Sequence, residues 1–259
     1  MTSVDVDVLP LTGERTVPGL PQENYWFRRH EAAYLHLLPH CAQAVVLDAG
    51  CGEGYGAALL ASAAHRVIAL DYDQRTIGHV ARRYPELSTV QGNLATLPLA
   101  SSSLDVVACL QVIEHLWDQP GFLAECLRVL RPGGRLLVTT PNRLTFSPGR
   151  DTPLNPFHSR ELAPSELDTL LREAGFTVRQ FHGLHHGPAL RTLDAAHGGS
   201  LINAQIAVAQ AGAPWPAQLL YDVAAVRTQD FVVLPGDTKN GDTRAIDASL
   251  DLITVAVTR

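Results

Sequence analysis

Seven residues, DAGCGEG at positions 48–54, combine carboxylates with three alternating glycines and have the types and spacing of a ligand-binding turn. They follow an apolar run at 45–47 and precede a helix-forming stretch at 57–61, which predicts a strand, a tight turn and a helix. Glycine accepts positive φ and lets a ligand approach the backbone. The helix N-terminus points free N–H groups at that ligand. Because a tight turn can also be purely structural, the glycines need support from other residues.

Two aspartates narrow the kind of ligand that this turn would bind. Asp71 ends a second apolar run and lies about 20 residues past the glycines, where a βαβ unit places a carboxylate for ribose hydroxyls. Asp48 precedes the first glycine, and an anion there suits a ligand with an ammonium or sulfonium charge better than a pyrophosphate. Gly52, Gly54 and Ala57 also fit the GxGxxA pattern of nicotinamide-dependent oxidoreductases, an alternative that Asp48 argues against.

A carboxylate and an imidazole stand side by side at Glu114 and His115, after an apolar run that begins at Leu104. That run predicts the fourth strand, over 104–113, and open α/β sheets bind ligands beyond the carboxyl ends of their strands. Histidine titrates near neutral pH and often serves as a general base, so His115 is a candidate proton acceptor. The alternative is that His115 only caps the helix that follows.

The elements that would position these residues alternate along the chain. Residues 44–140 alternate between strands and helices, which predicts a parallel, doubly wound sheet. Asp73 is placed to cap the second helix, which should end at Tyr84 because Pro85 follows it. The predicted strands lie at 45–47, 65–70, 89–91, 104–113, 135–140, 177–183 and 250–258, with a further strand-like run at 229–234.

Three segments lie outside this alternation. A helix over 22–38 is expected to pack one face against the sheet edge, with His30 as a core histidine. The connection at 141–164 is long, and connections of this length are usually functional or disordered. Residues 184–247 break the pattern and are interpreted as an insertion that covers the active site, with helices at 201–211 and within 214–226.

Composition limits the broad class of the protein. The 259 residues have a net charge of −6, are 46% hydrophobic and 18% charged, and suffice for one large α/β domain. Basic residues form no cluster, which argues against a nucleic-acid partner. No apolar run reaches the length of a membrane span, and the N-terminus lacks the features of a signal peptide. The four cysteines show no paired spacing and are predicted to be reduced, as in a cytoplasmic protein.

Five segments, in order, resemble the motifs of class I S-adenosylmethionine-dependent methyltransferases. DAGCGEG is similar to their first motif, D-x-G-x-G-x-G, and ALDYD to the second; VQGNLATLPL, SLDVVACLQVIEHL and LRVLRPGGRLLVTTPN follow. The resemblance implies an α/β, Rossmann-like class I methyltransferase fold, with a mostly parallel seven-stranded sheet, helices on both faces and a C-terminal antiparallel strand beside the fifth. It implies a single domain over 1–259, with an N-terminal cap at 1–40 and an acceptor pocket built by 141–164 and 184–247.

The same resemblance implies S-adenosylmethionine as the cofactor and assigns contacts to it. The glycines would line its ribose and methionine parts, Asp48 would lie near the amino-acid end, and Asp71 would take the ribose hydroxyls. Asn93 stands where relatives carry an acidic residue for the adenine amine, and Leu94 would offer its backbone N–H to the ring. The predicted cofactor-binding residues are Asp48, Gly50, Gly52, Gly54, Asp71, Tyr72, Asn93, Leu94 and Gln111.

Two catalytic roles for the Glu114-His115 pair remain open. In the first, His115 is the general base that takes the proton of an acceptor hydroxyl. The second resembles a subgroup with an E-x-x-E-H motif and a later histidine, and in it Glu114, His115 and His158 bind a divalent metal such as Mg²⁺. Gln111 stands in place of the first glutamate of that motif, and a neutral amide is a poorer ligand. His158 is predicted to act in the active site, or else to be exposed on its loop.

Resemblance also points to an acceptor. The TGERTVPG and NYWFRRH segments and the IDASLDLITVAV ending are similar to methyltransferases from clusters that make methylated polysaccharides, the methylglucose lipopolysaccharide type among them. This implies a sugar O-methyltransferase, whose first residues, with Gly13, Glu14 and Arg15, fold over the cofactor mouth or else form a mobile tail. Its partner would be a saccharide or another hydroxyl-bearing small molecule. The alternatives are a methyltransferase of a small aromatic or quinone-like metabolite, and a non-catalytic cofactor-binding protein.

Overall fold

An eight-stranded sheet forms the centre of the computed structural model, in which Leu9 and residues 15–236 and 244–259 are described. The strands are β1 Val45–Ala49, β2 Arg66–Asp71, β3 Ser88–Gln91, β4 Leu104–Leu110, β5 Leu130–Pro141, β6 Thr177–His186, β7 Phe231–Pro235 and β8 Asp251–Val257. Their order across the sheet is β3-β2-β1-β4-β5-β8-β6-β7. β8 runs antiparallel to β5 and β6, and β7 runs antiparallel to β6.

Helices lie along both faces of this sheet. They are α1 Asn24–Leu37, α2 Tyr55–Ala61, α3 Gln74–Arg83, α4 Gln119–Val129, α5 Arg143–Phe146, α6 Pro164–Glu173, α7 Pro188–Ala196, α8 Leu201–Ala211, α9 Ala217–Ala225 and α10 Arg244–Asp247. Asp73 caps α3 as predicted, since its side chain accepts a hydrogen bond from the backbone N–H of Arg75. In the part of the chain that the structure describes, no helix has the length and apolarity that a membrane crossing requires.

The central strands are apolar on both faces because both faces are covered. In β1, Val46 and Leu47 are fully buried, and successive side chains of a strand point to opposite faces. Val46 belongs to the core cluster that contains Leu37 of α1 and Leu60 of α2, and Leu47 to the cluster that contains Phe122 of α4. This layering confirms the predicted Rossmann-like fold, and β8 lies antiparallel beside β5, also as predicted.

The sheet has eight strands and not the predicted seven, and the additional one is the edge strand β7. β6 also extends to His186, beyond its predicted end at residue 183, because β8 pairs with it as far as Leu184 and β7 as far as His186. Residues 184–186 therefore belong to the sheet, although the predicted insertion began at residue 184. The described helices of that insertion are α7, α8, α9 and α10, of which the sequence pattern missed α7 and α10.

β4 ends at Leu110, three residues before its predicted end. The chain turns at Gln111, whose φ of 58° lies in the left-handed region that breaks an extended ladder. Residues Ile113–His115 then form a single 3₁₀ turn. Glu114 and His115 consequently lie on a turn beyond the strand end, where the side chains of one turn can face the same site.

α1 is joined to α9 by the side chain of Asn24. Its amide nitrogen lies 3.1, 3.0 and 2.8 Å from the carbonyl oxygens of Val223, Ala224 and Val226 at the end of α9. The last carbonyls of a helix have no partner inside the helix, so such a contact satisfies them. Two segments that are 200 residues apart in sequence are thereby fixed on the same face of the sheet.

Candidate functional site

A cavity of about 820 Å³ opens beyond the carboxyl ends of β1, β2 and β4, and residues of α1 and α8 complete its wall. This volume lies in the range of pockets for small molecules and cofactors. The predicted site residues in its wall are Gly50, Gly52, Asp71, Tyr72, Asn93, Leu94, Gln111, Glu114, His115 and His158. Of the predicted set, Asp48 and Gly54 lie outside the wall.

Glycines in the turn after β1 serve two different purposes. Gly52 and Gly54 both have positive φ, 52° and 94°. A Cβ at Gly52 would meet no atom within 4 Å, so the backbone there is open to a ligand. A Cβ at Gly54 would lie 2.9 Å from Val80 and 3.0 Å from Tyr84. Gly54 therefore permits α3 to pack closely against the turn, a packing role in place of the predicted cofactor contact.

Asp48 is buried beneath the cavity wall, with 1% of its surface exposed. Its Oδ1 accepts a hydrogen bond of 3.4 Å from the hydroxyl of Tyr34, which does line the cavity. Its Oδ2 has no hydrogen-bond partner among the described residues. Burial raises the pKa of Asp48 to about 7. Burial thus opposes the charge of this carboxyl group, which lies behind Tyr34 and not in the cavity wall.

Asp71 stands at the end of β2 and is held by the glycine turn. Its Oδ2 accepts a hydrogen bond of 3.1 Å from the backbone N–H of Gly52, and its Oδ1 accepts one of 3.0 Å from the backbone N–H of Asp73. Burial raises the pKa of Asp71, and the two backbone hydrogen bonds oppose that rise. Each carboxylate oxygen retains a lone pair, so the pair of oxygens can still accept from two hydroxyls in the cavity.

Three further predicted contacts line the cavity beside Asp71. Tyr72 is 65% exposed and presents its ring at the surface. Asn93 uses its Oδ1 to accept a hydrogen bond of 2.9 Å from the backbone of Ala95, which leaves one lone pair of that oxygen for a ligand. Gln111 donates from Nε2 to the hydroxyl of Thr139 at 3.2 Å. That contact holds the Gln111 side chain against β5.

A cluster of ligating groups forms where the 3₁₀ turn meets the loop after β5. One ligand atom from each of Glu114, His115 and His158 lies within 4.8 Å of the others. Among the described residues, this is the one group of three or more such side chains that could hold a metal ion. The two imidazole rings have centroids 4.8 Å apart. Glu114 is 1% exposed, and burial raises its pKa against the opposing effect of both histidines.

The hydrogen bonds of the two imidazoles fix which nitrogen carries the proton. Nδ1 of His115 lies 3.0 Å from the carbonyl oxygen of Phe157, which can only accept, so Nδ1 is the donor. Nδ1 of His158 lies 2.7 Å from Oε1 of Glu161 and donates to it in the same way. In the neutral form of each ring, Nε2 then carries a lone pair, which can accept a proton or bind a metal. The lone pair of His158 already accepts a hydrogen bond of 3.1 Å from Nδ2 of Asn155.

Glu161 is a residue that the sequence analysis missed. It is 3% exposed, holds His158 through Oε1, and its Oε2 has no hydrogen-bond partner within the described ranges. A carboxylate behind an imidazole fixes the ring and makes its other nitrogen more basic. The spacing of three residues between His158 and Glu161 was the available signal, but a short spacing on an irregular loop does not predict contact.

α1 packs against the sheet edge as predicted, with Tyr25 in contact with Phe231 of β7, and it also contributes to the cavity wall. Trp26, Arg29 and His30 line the cavity wall, as do Arg15 and Thr16 of the segment before it. Nδ1 of His30 lies 3.1 Å from the hydroxyl of Thr16, and burial lowers the pKa of His30 to about 4. Gly13 and Glu14, predicted to fold over the cofactor mouth, lie outside the described residues.

Arg29 forms a buried ion pair with Asp251 of β8. Its Nε and Nη2 donate to the two carboxylate oxygens at 2.7 and 2.6 Å. Burial opposes the charge of Arg29, but Asp251 outweighs that effect and holds the pKa of the guanidinium above its usual value. Because the pair is neutral overall, it adds no net charge to the cavity.

Comparison with known proteins assigns the family. A sequence profile described as a methyltransferase domain matches residues 47–138. A probable S-adenosylmethionine-dependent methyltransferase of Mycolicibacterium smegmatis is 61% identical over 249 residues, which cover 96% of this chain and 95% of that protein. A ubiquinone biosynthesis O-methyltransferase of Methylocella silvestris is 36% identical over 132 residues, or 49% of this chain and 47% of that protein.

The solved structure of an S-adenosylmethionine-dependent methyltransferase from Thermotoga maritima has a TM-score of 0.58 at 18% identity, covering 90% of this chain and 93% of that one. This likeness supports the fold. The chain is 61% identical to the Mycolicibacterium protein along nearly the whole length of that protein. Its cofactor is therefore S-adenosylmethionine and not the nicotinamide of the GxGxxA alternative. The chain is therefore an enzyme and belongs to the S-adenosylmethionine-dependent methyltransferases.

Proposed function

We propose that this enzyme transfers the methyl group of S-adenosylmethionine to a hydroxyl of a saccharide, with His115 as the general base. The observation that carries the proposal is the pair of imidazoles in the cavity wall, each with Nδ1 engaged and Nε2 unprotonated in the neutral ring. A hydroxyl must lose its proton during methylation, so a base beside the cofactor is what an O-methyltransferase needs.

The cofactor would occupy the part of the cavity next to the glycine turn. Gly52 leaves its backbone open to a ligand, and Asp71 retains lone pairs for the ribose hydroxyls. A cationic methionine end would favour the ionised form of Asp48, which lies behind Tyr34. The residues proposed to contact the cofactor are Gly50, Gly52, Asp71, Tyr72, Asn93, Leu94 and Gln111.

Bound S-adenosylmethionine supplies a methyl group on a sulfonium centre whose leaving group is neutral. The protein's part is to align the acceptor oxygen with that methyl carbon and to take its proton. As the oxygen–carbon bond forms and the carbon–sulfur bond breaks, the hydroxyl proton passes to Nε2 of His115. The products are the methyl ether, S-adenosylhomocysteine and a protonated His115, which returns its proton to solvent.

A saccharide suits the remainder of the cavity. Trp26, Phe146 and Trp215 place aromatic rings in the wall, on which a sugar ring can stack. Asp251 balances the charge of Arg29, so this guanidinium does not call for an anionic acceptor. These features support a neutral, polyhydroxylated acceptor.

A divalent metal is the second way in which the same cluster could activate a hydroxyl. Glu114, His115 and His158 would provide one carboxylate oxygen and two imidazole nitrogens, a mixed donor set that first-row metals accept. Glu161 would hold His158 from behind, as a carboxylate commonly does for a metal-bound histidine. Oε2 of Glu114 already accepts from Thr140 at 2.9 Å, which leaves Oε1 as the freer ligand atom.

A quinone-like or small aromatic acceptor is the second candidate function. It is favoured by the 36% identity to the ubiquinone biosynthesis O-methyltransferase over half of this chain. That acceptor would also need a base for a hydroxyl, so the cluster alone does not distinguish the two.

Labelled methyl transfer to gluco-oligosaccharides and to catechols, with and without EDTA, tests these alternatives. Incorporation into saccharides that EDTA leaves unchanged supports His115 as a simple base, whereas incorporation that EDTA abolishes and Mg²⁺ restores supports the metal. Incorporation into catechols alone would contradict the saccharide acceptor but not the base. Transfer that survives unchanged in His115→Ala would contradict the base.

A further inference from the structure

A second cavity, of about 460 Å³, lies between α5, the loop that follows it and the start of α8. This volume is in the range of pockets that bind small molecules. Two residues, Phe146 and Leu154, line both this cavity and the main one, so the two cavities are neighbours. The residues proposed to contact the cofactor lie outside the wall of the second cavity. It is therefore a further place for a ligand, and S-adenosylmethionine does not account for it.

Phe146 places the second cavity beside the catalytic cluster. The centroid of its ring lies 5.6 Å from that of His158, and the ring of His158 lies 4.8 Å from that of His115. Phe146 also forms part of the second cavity's wall. A molecule held at His115 would thus pass a single side chain to enter the second cavity. The second cavity adjoins the acceptor end of the main cavity and not the glycine turn.

We propose that the second cavity binds the sugar unit next to the one that is methylated, so that the preferred acceptor has at least two units. The inference rests on the proposed function, because it takes the acceptor to be a saccharide. It adds a minimum length for that acceptor, which the main cavity alone does not require.

The start of α8 gives the wall polar groups that suit a sugar. Oγ of Ser200 accepts a hydrogen bond of 3.1 Å from the backbone N–H of Asn203, and its hydroxyl can still donate. The side chain of Asn203 is exposed and forms no hydrogen bond with the described residues, so its amide can both donate and accept. The ring of Phe146 adds a face on which a sugar ring can stack.

The charges of the wall favour a neutral occupant. Among the described residues, its charged side chains are one guanidinium, Arg150, and one carboxylate, Asp194. Burial lowers the pKa of His186, which also lines this cavity, against the opposing effect of Asp194. His186 is therefore neutral near pH 7, and the wall carries no net charge that would select an anion or a cation.

Both sides of the second cavity are held by contacts within the protein. Nδ1 of His186 donates to Oδ2 of Asp194 at 2.6 Å, and the backbone N–H of Leu201 donates to Oδ1 at 2.9 Å. These bonds join β6, α7 and α8. On the other side, the hydroxyl of Thr145 in α5 donates to the carbonyl of Ser249 at 2.7 Å. A wall that is already ordered loses little entropy when it binds a ligand.

Substitution of Asn203 tests the inference. Asn203→Leu removes the amide at a similar volume, and the position is exposed, so folding should not suffer. Gln218→Leu, on α9, is the matched control, since Gln218 is exposed and lies outside the walls of both cavities. The assay compares methyl transfer to methyl glucoside with transfer to methyl maltoside and methyl cellobioside, which have one further unit in two different linkages. Unfolding temperatures are recorded for each variant.

In the wild type, kcat/KM should be on the order of 10- to 100-fold higher with one of the disaccharides than with methyl glucoside. Asn203→Leu should lower this ratio several-fold towards one, and Gln218→Leu should keep it. Equal wild-type values with all three acceptors would overturn the inference while the proposed function stood. A ratio that Asn203→Leu leaves unchanged would also overturn it, because the second unit would then bind elsewhere.

If no saccharide is methylated, the acceptor of the proposed function is wrong, and binding tests the inference separately. Trp26 and Trp215 line the main cavity, so tryptophan fluorescence can report binding of the same three sugars in the presence of S-adenosylhomocysteine. Tighter binding of a disaccharide that Asn203→Leu weakens and Gln218→Leu preserves supports the inference. Any other result overturns it.

Discussion

Glu161→Gln separates the role of His158 from that of His115. Oε1 of Glu161 lies 2.7 Å from Nδ1 of His158, and the carboxylate is 3% exposed. The amide keeps the shape of the side chain and an oxygen that can accept from Nδ1, but it removes the negative charge. Any loss of activity then reports the charge behind His158 and not a cavity or a missing side chain.

The size of the effect follows from the type of hydrogen bond that is lost. A hydrogen bond to a charged group contributes about 1.5–3 kcal/mol and a neutral one about 0.5–1.5 kcal/mol, so the difference is about 1–1.5 kcal/mol. Because about 1.4 kcal/mol corresponds to a factor of ten, kcat should fall by roughly tenfold. Substituting a carboxylate that holds a metal-bound histidine typically lowers metal affinity or activity about 10- to 100-fold. With a metal at the cluster, the loss of activity should therefore exceed tenfold and lie toward the upper end of that range.

The assay is steady-state methyl transfer, accompanied by calorimetric titration of S-adenosylhomocysteine. Cofactor affinity should be unchanged, and Glu161→Asp, which keeps the charge, should recover part of the activity. The unfolding temperature should fall by only a few degrees, since about 1–1.5 kcal/mol of hydrogen-bond free energy is lost. Glu173→Gln, at an exposed position of α6, is the matched control. Activity within twofold of the wild type in a folded Glu161→Gln variant would refute the reasoning.

Three other changes give distinct outcomes. His115→Ala should lower kcat by about 10²–10⁴-fold with cofactor affinity intact, measured by single-turnover transfer and titration, and unchanged turnover would remove it from the mechanism. Burial raises the pKa of Asp48 from 3.8 to about 7. Ionisation of Asp48 therefore lowers the free energy of unfolding progressively as the pH rises between these two values, and the full loss is reached above pH 7. Asp48→Asn should therefore raise the unfolding temperature at pH 8 and change it little at pH 4; the reverse order would contradict the assignment. Gly56→Ala would place a Cβ 2.2 Å from the ring of Tyr34 and should cost about 1–3 kcal/mol, whereas Gly78→Ala, which meets only Arg82 at 3.5 Å, should not destabilise.

The fold could be predicted because the central parallel strands are buried on both faces and are followed by turn signals. Val46 and Leu47 show this in β1, and Asp73 shows it at the start of α3. The errors fell where tertiary contacts override local pattern. β4 stops early because Gln111 adopts positive φ, and β6 continues to His186 because β7 pairs with it. Neither event leaves a periodic signal in the sequence.

The site was predictable where it lies on consecutive turns of the sheet edge. Asp71 ends β2, and Glu114 and His115 lie on the turn that follows β4, so a strand prediction places them at the sheet edge. The opposite wall was not predictable, because Arg29 and Gln205 come from helices 176 positions apart and meet the cavity only through the fold. Their polar atoms look like ordinary helix side chains until the structure shows that both are buried.

The segments that carry the two imidazoles are joined by one set of hydrogen bonds, here called the clamp. These hydrogen bonds lead to a further prediction. The backbone N–H groups of Ser159 and Arg160 donate to the carbonyl of Glu114 at 2.7 and 3.1 Å, and the hydroxyl of Ser159 donates to the carbonyl of His115 at 2.9 Å. The loop that carries His158 is therefore fastened to the turn that carries His115.

Residues that act as one unit show losses that do not add. The His115→Ala/His158→Ala double variant should accordingly lose little more kcat than the worse single variant, measured under single-turnover conditions. A matched pair outside the clamp, Glu173→Gln with Gln218→Leu, sets the scale for additive behaviour. If the double variant instead loses the product of the two single losses, the histidines act independently. His158 would then contribute to transfer by a route separate from His115.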